Sequence, residues 1–129
     1  MDFTDHGALE TIKWVLAQTP GTPPTSLFIQ LHVGDPGADG TANPAVENTR
    51  VAVTFDAAGN VGVDGQAEAL TLGDTTWVAV AATETYTHMS IWDTVTGGAS
   101  WYKGALAAPV AVSSGSNFTF PAGSKLNHL

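Results

Sequence analysis

Histidine is the residue type in this chain with the largest number of possible chemical roles, because its imidazole can act as a general base, a proton shuttle or a metal ligand. The four histidines are His6, His32, His88 and His128. A metal pair on one element needs two histidines two or four positions apart, and no two of these have that spacing. We therefore predict no metal site on a single element. We expect His32 and His88 to face solvent or to bond a neighbour on strands.

The motifs of the common catalytic sites are missing from the sequence. It contains no GxSxG, no GxxxxGK and no HExxH. It also has no cysteine, which excludes disulfides, thiolate zinc sites, iron-sulfur clusters and thiol catalysis. A carboxylate pair for glycoside hydrolysis would converge only in three dimensions, and nothing in the sequence supports one. We predict that the protein is not an enzyme, with no catalytic residue, no cofactor and no bound metal.

Two acidic clusters resemble calcium loops only superficially. Asp35 and Asp39 lie four positions apart, and Asp56, Asn60 and Asp64 repeat the same spacing further on. Calcium loops pack oxygen ligands more densely and close with a glutamate, and neither segment does so. We interpret these residues as Asx turns, in which the side chain bonds its own backbone.

Aromatic residues could stack on sugar rings, and five of them lie on or beside predicted strands: Trp77, Tyr86, Trp92, Trp101 and Tyr102. Large aromatic side chains also fill the core of a domain of this size. We expect the core role, and keep a carbohydrate-binding module as a second alternative function.

The N-terminal part carries the helical pattern of the chain. Within residues 4–18, Leu9, Ile12 and Leu16 follow the spacing of one apolar helix face, and the proline-rich residues 19–24 end the helix. That face has two interpretations, which the sequence leaves open. It packs across an open end of its own domain, or it docks on another subunit while residues 19–24 hold it away from the body.

After the proline-rich segment the apolar period changes from that of a helix to that of strands. Strand candidates cover residues 27–33, 50–55, 68–72, 75–82, 86–93, 99–103, 109–113 and 117–120, with a long loop at residues 34–48. Eight short strands separated by turns predict an all-β fold, an antiparallel β-sandwich or small barrel with one N-terminal amphipathic helix. We divide the chain into residues 1–24, the helix and linker, and residues 25–129, the sandwich domain.

Length and charge restrict the partners. The 129 residues suit one domain, and the net charge is -8. The four basic residues, Lys13, Arg50, Lys103 and Lys125, are scattered, so we expect neither nucleic acid nor an anionic membrane as partner. The apolar stretches are far shorter than the roughly 20 residues of a membrane span, and the opening MDFTDHG is acidic where a secretory signal would be basic. We expect a soluble protein.

Four segments carry a resemblance to a known family. They are the corner Leu31-His32-x-x-Asp35-Pro36-Gly37, the strand Arg50-Val51-Ala52-Val53, the strand Ser90-Ile91-Trp92-Asp93 with its Gly97-Gly98 turn, and the closing Phe118-x-Phe120-x-Ala122-Gly123. The chain resembles a family of small tailed-phage virion proteins, variously described as capsid decoration, minor capsid or tail-fibre-like proteins. The family pattern carries no catalytic residues.

The resemblance implies a structural role in a virion that is assembled in the bacterial cytoplasm. Small size and acidic charge favour a decoration protein on the head surface, bound to the major capsid protein and forming trimers or small clusters at symmetry axes. A tail or tail-fibre component is the alternative. The docking residues would be Leu9, Ile12 and Leu16, with Lys13 as the basic residue of the same helix.

Overall fold

The computed structural model describes residues 1–56, 60–61 and 67–128, with the backbone alone for residues 60, 61, 67, 127 and 128. Its elements are β1 (Asp2–Phe3), α1 (Asp5–Val15), β2 (Leu27–His32), β3 (Val51–Val53), β4 (Asn60–Val61), β5 (Ala67–Leu70), β6 (Thr75–Trp77), β7 (Glu84–Trp92), β8 (Ser100–Val112), β9 (Phe118–Phe120) and β10 (Lys125–His128). The protein is mostly β with one short N-terminal helix, which confirms the predicted fold class. The helix is shorter at both ends than the predicted residues 4–18.

The largest sheet is antiparallel and has five strands in the order β1-β8-β7-β2-β3. Strands β7 and β8 form its long central hairpin. Gly97 and Gly98 in the connecting turn have φ of 63° and 70°, a conformation that glycine adopts without steric cost. A Cβ on Gly98 would lie 2.2 Å from the Thr94 hydroxyl oxygen. The Gly-Gly pair therefore serves the hairpin as the sequence indicates.

Two smaller antiparallel sheets, β10-β5-β4 and β6-β9, complete the sandwich. The core is built from the alternating apolar residues of β2, β3 and β7 and from aromatic residues of β6 and β9. Trp77 lies 5.7 Å from Phe118 between ring centroids, and its indole nitrogen donates to the Thr49 carbonyl at 2.8 Å. The buried apolar members are Ile29, Leu31, Ala45, Val53, Trp77, Val80, Tyr86, Ile91, Val112 and Phe118.

Strand β8 corrects one sequence prediction. We expected separate strands at residues 99–103 and 109–113, with Pro109 opening the second, whereas the structure has one strand over Ser100–Val112. The register shifts between the pairs Tyr86↔Val110 and His88↔Ala105, and Pro109 falls inside that irregular stretch. A proline is tolerated there because no ladder hydrogen bond requires its missing N–H. The short strands β1, β4 and β10 were not predicted.

The long loop of residues 34–48 contains the predicted Asx turns. An Asp35 carboxylate oxygen accepts from the Gly37 N–H at 2.9 Å, and an Asp39 oxygen accepts from the Thr41 N–H at 3.0 Å. The Gly37 N–H lowers the pKa of Asp35, and the Thr41 hydroxyl and N–H lower that of Asp39. Asp64 of the second acidic cluster lies outside the described residues.

Candidate docking surface

Helix α1 is fixed to the five-stranded sheet at its N-terminal end. The buried Thr4 caps the helix by accepting from the Gly7 N–H at 3.3 Å, and its hydroxyl also donates to the Ser100 carbonyl. The Thr4 N–H donates to the Trp101 carbonyl at 3.0 Å. A Cβ on Gly7 would lie 2.2 Å from that same carbonyl oxygen. Glycine at this position therefore lets the helix approach β8 closely.

The side of the helix that faces inward is polar. Glu10 is only 8% exposed, and its carboxylate accepts from the Lys13 ammonium at 2.9 Å and from the Gly21 N–H. The Gly21 N–H, and next the Lys13 ammonium, lower the pKa of Glu10. These bonds tie the proline-rich segment back against the helix. Residues 19–24 therefore do not hold the helix away from the body, contrary to the second interpretation of the sequence.

The helix ends in a left-handed turn. Ala17 has φ of 56°, and the Gln18 N–H donates to the Lys13 carbonyl at 2.8 Å, which closes the last turn in the manner of a Schellman motif. Leu16 is the C-terminal cap residue, and its N–H donates to the Ile12 carbonyl at 2.9 Å. The end of the apolar face is thereby held in a defined conformation.

The apolar face of α1 points outward, and we call it the outer stripe: Leu9, Ile12, Val15 and Leu16. These side chains are 52%, 53%, 77% and 58% exposed, respectively. Leu9, Ile12 and Leu16 thus share one exposed face, as the spacing predicted, but they do not pack across the end of their own domain. Lys13 lies beside the stripe and is paired with Glu10.

An apolar groove lies on the opposite side of the same helix, where α1 meets the proline-rich segment and β8. We call it the aromatic groove. It has a volume of about 290 Å³ and is lined by Phe3, Glu10, Thr11, Trp14, Pro20, Gly21, Pro23, Pro24, Leu27, Trp101 and Tyr102. Trp14 at its rim is 72% exposed, and Phe3 stacks on Tyr102 with ring centroids 4.8 Å apart. The groove is therefore walled by stacked rings on the β8 side and open to solvent beside the helix.

The predicted aromatic residues divide between core and surface. Trp77, Tyr86 and Trp92 are buried. Trp101 and Tyr102 are half-buried and line the aromatic groove. The core interpretation is therefore correct for three of the five, and these three offer no surface on which a sugar could stack.

His32 bonds a neighbour on a strand, which is one of the two predicted alternatives, and it belongs to a buried polar network whose other members the sequence did not identify. The His32 Nε2 lies 2.7 Å from the Ser90 hydroxyl oxygen, and its Nδ1 lies 2.8 Å from the Ala42 carbonyl oxygen. A carbonyl only accepts, so Nδ1 carries the proton and Ser90 donates to Nε2. The Trp92 indole N–H donates to the Ser90 oxygen at 2.7 Å. Burial lowers the pKa of His32, because it disfavours the charged form of the ring.

The serine-histidine pair resembles the activated nucleophile of hydrolases, yet neither side chain has any exposed surface. No substrate reaches the Ser90 oxygen in this conformation, so the pair acts in packing. Adjacent strands β2 and β7 bring the two residues together through the pair Gln30↔Ser90. A separation of 58 positions in the chain gave no local signal for this contact.

Two other histidines have described side chains, and both contact a neighbouring residue; the side chain of His128 lies outside the described part of the structure. His6 packs edge-on against Trp101 with centroids 4.8 Å apart, and His88 Nδ1 lies 2.8 Å from the Thr87 hydroxyl. Within residues 1–56, 60–61 and 67–128, no three His, Asp or Glu side chains are placed to hold a metal ion. Among those same residues, no helix has the length and apolar character needed to cross a membrane.

A larger cavity of about 490 Å³ opens between the sheets, with mainly apolar walls that include Met1, Met89 and Phe120. Two hydroxyls reach it, those of Thr71 and Ser124, and both donate to the Pro121 carbonyl. Lys125 at its edge is paired with Glu68 at 3.2 Å. The polar groups here are already engaged within the chain and do not define a ligand site.

Among the described residues, the protein is a small β-sandwich whose N-terminal helix buries Glu10 and exposes Leu9, Ile12, Val15 and Leu16. The family model Gp80, described as podophage GP4 fiber I protein gp80, matches residues 2–126, so the chain belongs to this family. No curated protein matches the chain. Membership confirms the resemblance to tailed-phage virion proteins and a structural role in the virion. A fibre family fits the tail-fibre alternative better than capsid decoration, and the head surface finds no support.

Proposed function

We propose that the protein is a non-enzymatic structural subunit of a podophage fibre and that it joins its assembly through the outer stripe. Membership in a fibre family supports the location. The observation that supports the docking surface is the exposure of Leu9, Ile12 and Leu16 on a helix whose polar side is turned inward. Burial of an aliphatic face of this kind against a partner removes apolar surface from water and therefore lowers the free energy.

The orientation of the helix supports the same proposal. Thr4 and Glu10 satisfy their hydrogen bonds inside the domain, so the helix is held against the body without using its apolar face. Burial of Leu9, Ile12 and Leu16 therefore remains available for a contact between molecules. A subunit that binds only the assembled fibre stabilises it by mass action, and repeated copies multiply a modest contact.

Incorporation into phage particles tests this proposal. Phage are grown from genomes that encode Ile12→Ser or Leu16→Ser, and the copies of the protein per purified particle are counted by quantitative mass spectrometry. Val95→Ser is the matched control, because Val95 is 53% exposed, like Ile12, but lies in the β7–β8 turn. We expect at least tenfold fewer copies for the stripe variants and unchanged copies for the control.

Each other outcome overturns a named part of the proposal. Equal incorporation of all three variants rejects the outer stripe as the docking surface. Absence of the wild-type protein from purified particles rejects the structural role. Labelled protein on the capsid shell instead of the fibres rejects the fibre location and returns docking on the major capsid protein as the better interpretation.

A further inference from the structure

We propose that the partner of the outer stripe is the aromatic groove of a second copy of this chain, so that copies associate head to tail into a closed ring. This inference deepens the proposed function, since it names the molecule that covers the stripe. It depends on the stripe being a docking surface but not on where the fibre sits in the virion.

The shapes of the two surfaces support a stripe-to-groove contact. The outer stripe is convex, because it lies on the outside of α1. The aromatic groove is concave, with a volume of about 290 Å³. That volume is at the low end of the roughly 300–1,000 Å³ of ligand pockets, which suits a few aliphatic side chains. Ile12 and Leu16 are of the size and type that such a groove accepts.

The chemistry of the two surfaces also matches. The outer stripe contains aliphatic residues alone, and the groove walls are chiefly aromatic rings and prolines. Glu10 is the charged residue of the groove, and its carboxylate is already engaged by Lys13 and by the Gly21 N–H. Contact between stripe and groove would therefore bury no unpaired charge, and the cost of desolvating ions would not arise.

The positions of the stripe and the groove on the helix determine how two copies of the chain can contact each other. Stripe and groove lie on opposite sides of one helix, so one copy cannot bring both to the same partner. A contact between unlike patches is heterologous, and it gives a ring when the rotation closes and an open filament when it does not. We propose the ring, because it leaves no stripe and no groove uncovered, whereas a filament exposes one of each at its ends. Each copy in a ring uses its stripe toward one neighbour and its groove toward the other.

The buried area favours a ring over a dimer. The four stripe residues expose on the order of 400 Å² of apolar surface. That is about half of the roughly 800 Å² per partner in a standard specific interface. One stripe-to-groove contact is therefore weak, whereas a ring gives every copy two contacts. The net charge of -8 opposes association at low salt, so screening at about 0.15 M should strengthen the ring.

Disulfide trapping tests the contact directly, because the natural chain has no cysteine. Two purified full-length variants of different tag mass are mixed at about 0.15 M salt and mildly oxidised. One carries Ile12→Cys on the stripe, and the other carries Pro23→Cys in the groove. Val95→Cys replaces Ile12→Cys in the control mixture, since the two positions are equally exposed. Products are separated by mass and mapped by peptide analysis.

We expect disulfides between the two unlike variants to exceed both like-with-like products at least fivefold and to exceed the control at least tenfold. A predominance of Ile12→Cys homodimers would overturn the proposal in favour of a symmetric helix-to-helix contact. Cross-linking no greater than the control would reject self-association. If cross-linking is no greater than the control but Ile12→Ser and Leu16→Ser are still lost from phage particles, the outer stripe docks on a different virion protein.

Analytical sedimentation measures the oligomeric state as a second test of the proposal. Wild-type protein should sediment as a closed oligomer, while Ile12→Ser and Trp14→Ala should both sediment as monomers and Val95→Ser should keep the oligomer. A wild-type monomer at all accessible concentrations contradicts the ring, and so does a Trp14→Ala variant that associates like the wild type.

Discussion

The buried polar network and the outer stripe are opposites. Beneath the five-stranded sheet, His32 and Ser90 are fully buried and hydrogen-bonded to one another, so these two side chains find their polar partners inside the domain. On α1, Leu9, Ile12 and Leu16 are more than half exposed. The network is buried inside the fold, whereas we propose that another molecule covers the stripe. Substitutions in the two regions should therefore act on different measurements.

The largest effect on stability should come from the network. His32→Ala removes a buried ring, leaves a cavity and leaves the Ser90 hydroxyl and the Ala42 carbonyl without that partner. We expect the free energy of unfolding to fall by about 3 kcal/mol, measured by urea denaturation. A loss below about 1 kcal/mol would mean that the network contributes little and would weaken the contrast with the stripe.

The dependence of stability on acidic pH should also distinguish the buried polar network from the outer stripe. Burial lowers the pKa of His32 below its ordinary value of 6.5, so the unfolded chain takes up this proton more readily than the fold does. The contribution of neutral His32 to the free energy of unfolding is therefore fully present above about pH 6.5. It is lost as the pH falls toward the folded-state pKa, and the free energy of unfolding then changes by at most about 1.4 kcal/mol per pH unit.

The charges of His88 and Arg50 also lower the pKa of His32, because they disfavour its charged ring. The variant Ile12→Ser should show the same pH dependence as the wild type. His32→Gln should lose the part of the pH dependence that begins as the pH falls below about 6.5, measured by urea denaturation at a series of pH values. An unchanged slope in His32→Gln would assign the dependence to other groups.

The C-terminal turn of α1 offers a smaller effect of opposite sign. Ala17 has φ of 56°, a conformation that costs an L-residue energy and a glycine almost none. Ala17→Gly should raise the free energy of unfolding by about 0.5–1 kcal/mol in urea denaturation. A loss of stability instead would mean that the helix end depends on the methyl group of Ala17.

The smallest effect on stability should come from the stripe itself. Ile12→Ser changes a side chain that is already 53% exposed, so the free energy of unfolding of the isolated monomer should change by less than about 0.5 kcal/mol. A measurement at low protein concentration separates this from any loss of association. Destabilisation by 2 kcal/mol or more would place Ile12 in the fold and remove the contrast.

The sequence predicts the two regions unequally. Spacing identified Leu9, Ile12 and Leu16 as one apolar helix face, because a helical period is a local property. It did not reveal which way that face points. The orientation depends on Gly7 and Glu10, whose contacts with Trp101 and Gly21 exist only after the chain has folded. A glycine and a glutamate inside a helix are too common to signal such contacts.

Strand pairing limited the prediction elsewhere. Alternation of apolar residues located β2 and β3, but not the register that places His32 beside Ser90. Pro109 was placed at the start of a separate strand, whereas the shift in register that accommodates it inside β8 is set by the partner strand. Elements with a local pattern were therefore predictable, and contacts between distant segments were not.

A cryo-EM reconstruction of the intact virion at side-chain resolution tests the central claim most directly. We predict density for this domain in a fibre, with Leu9, Ile12 and Leu16 of each copy buried against a neighbouring molecule. Density on the capsid shell, or fibre copies in which all three side chains face solvent, would contradict the account.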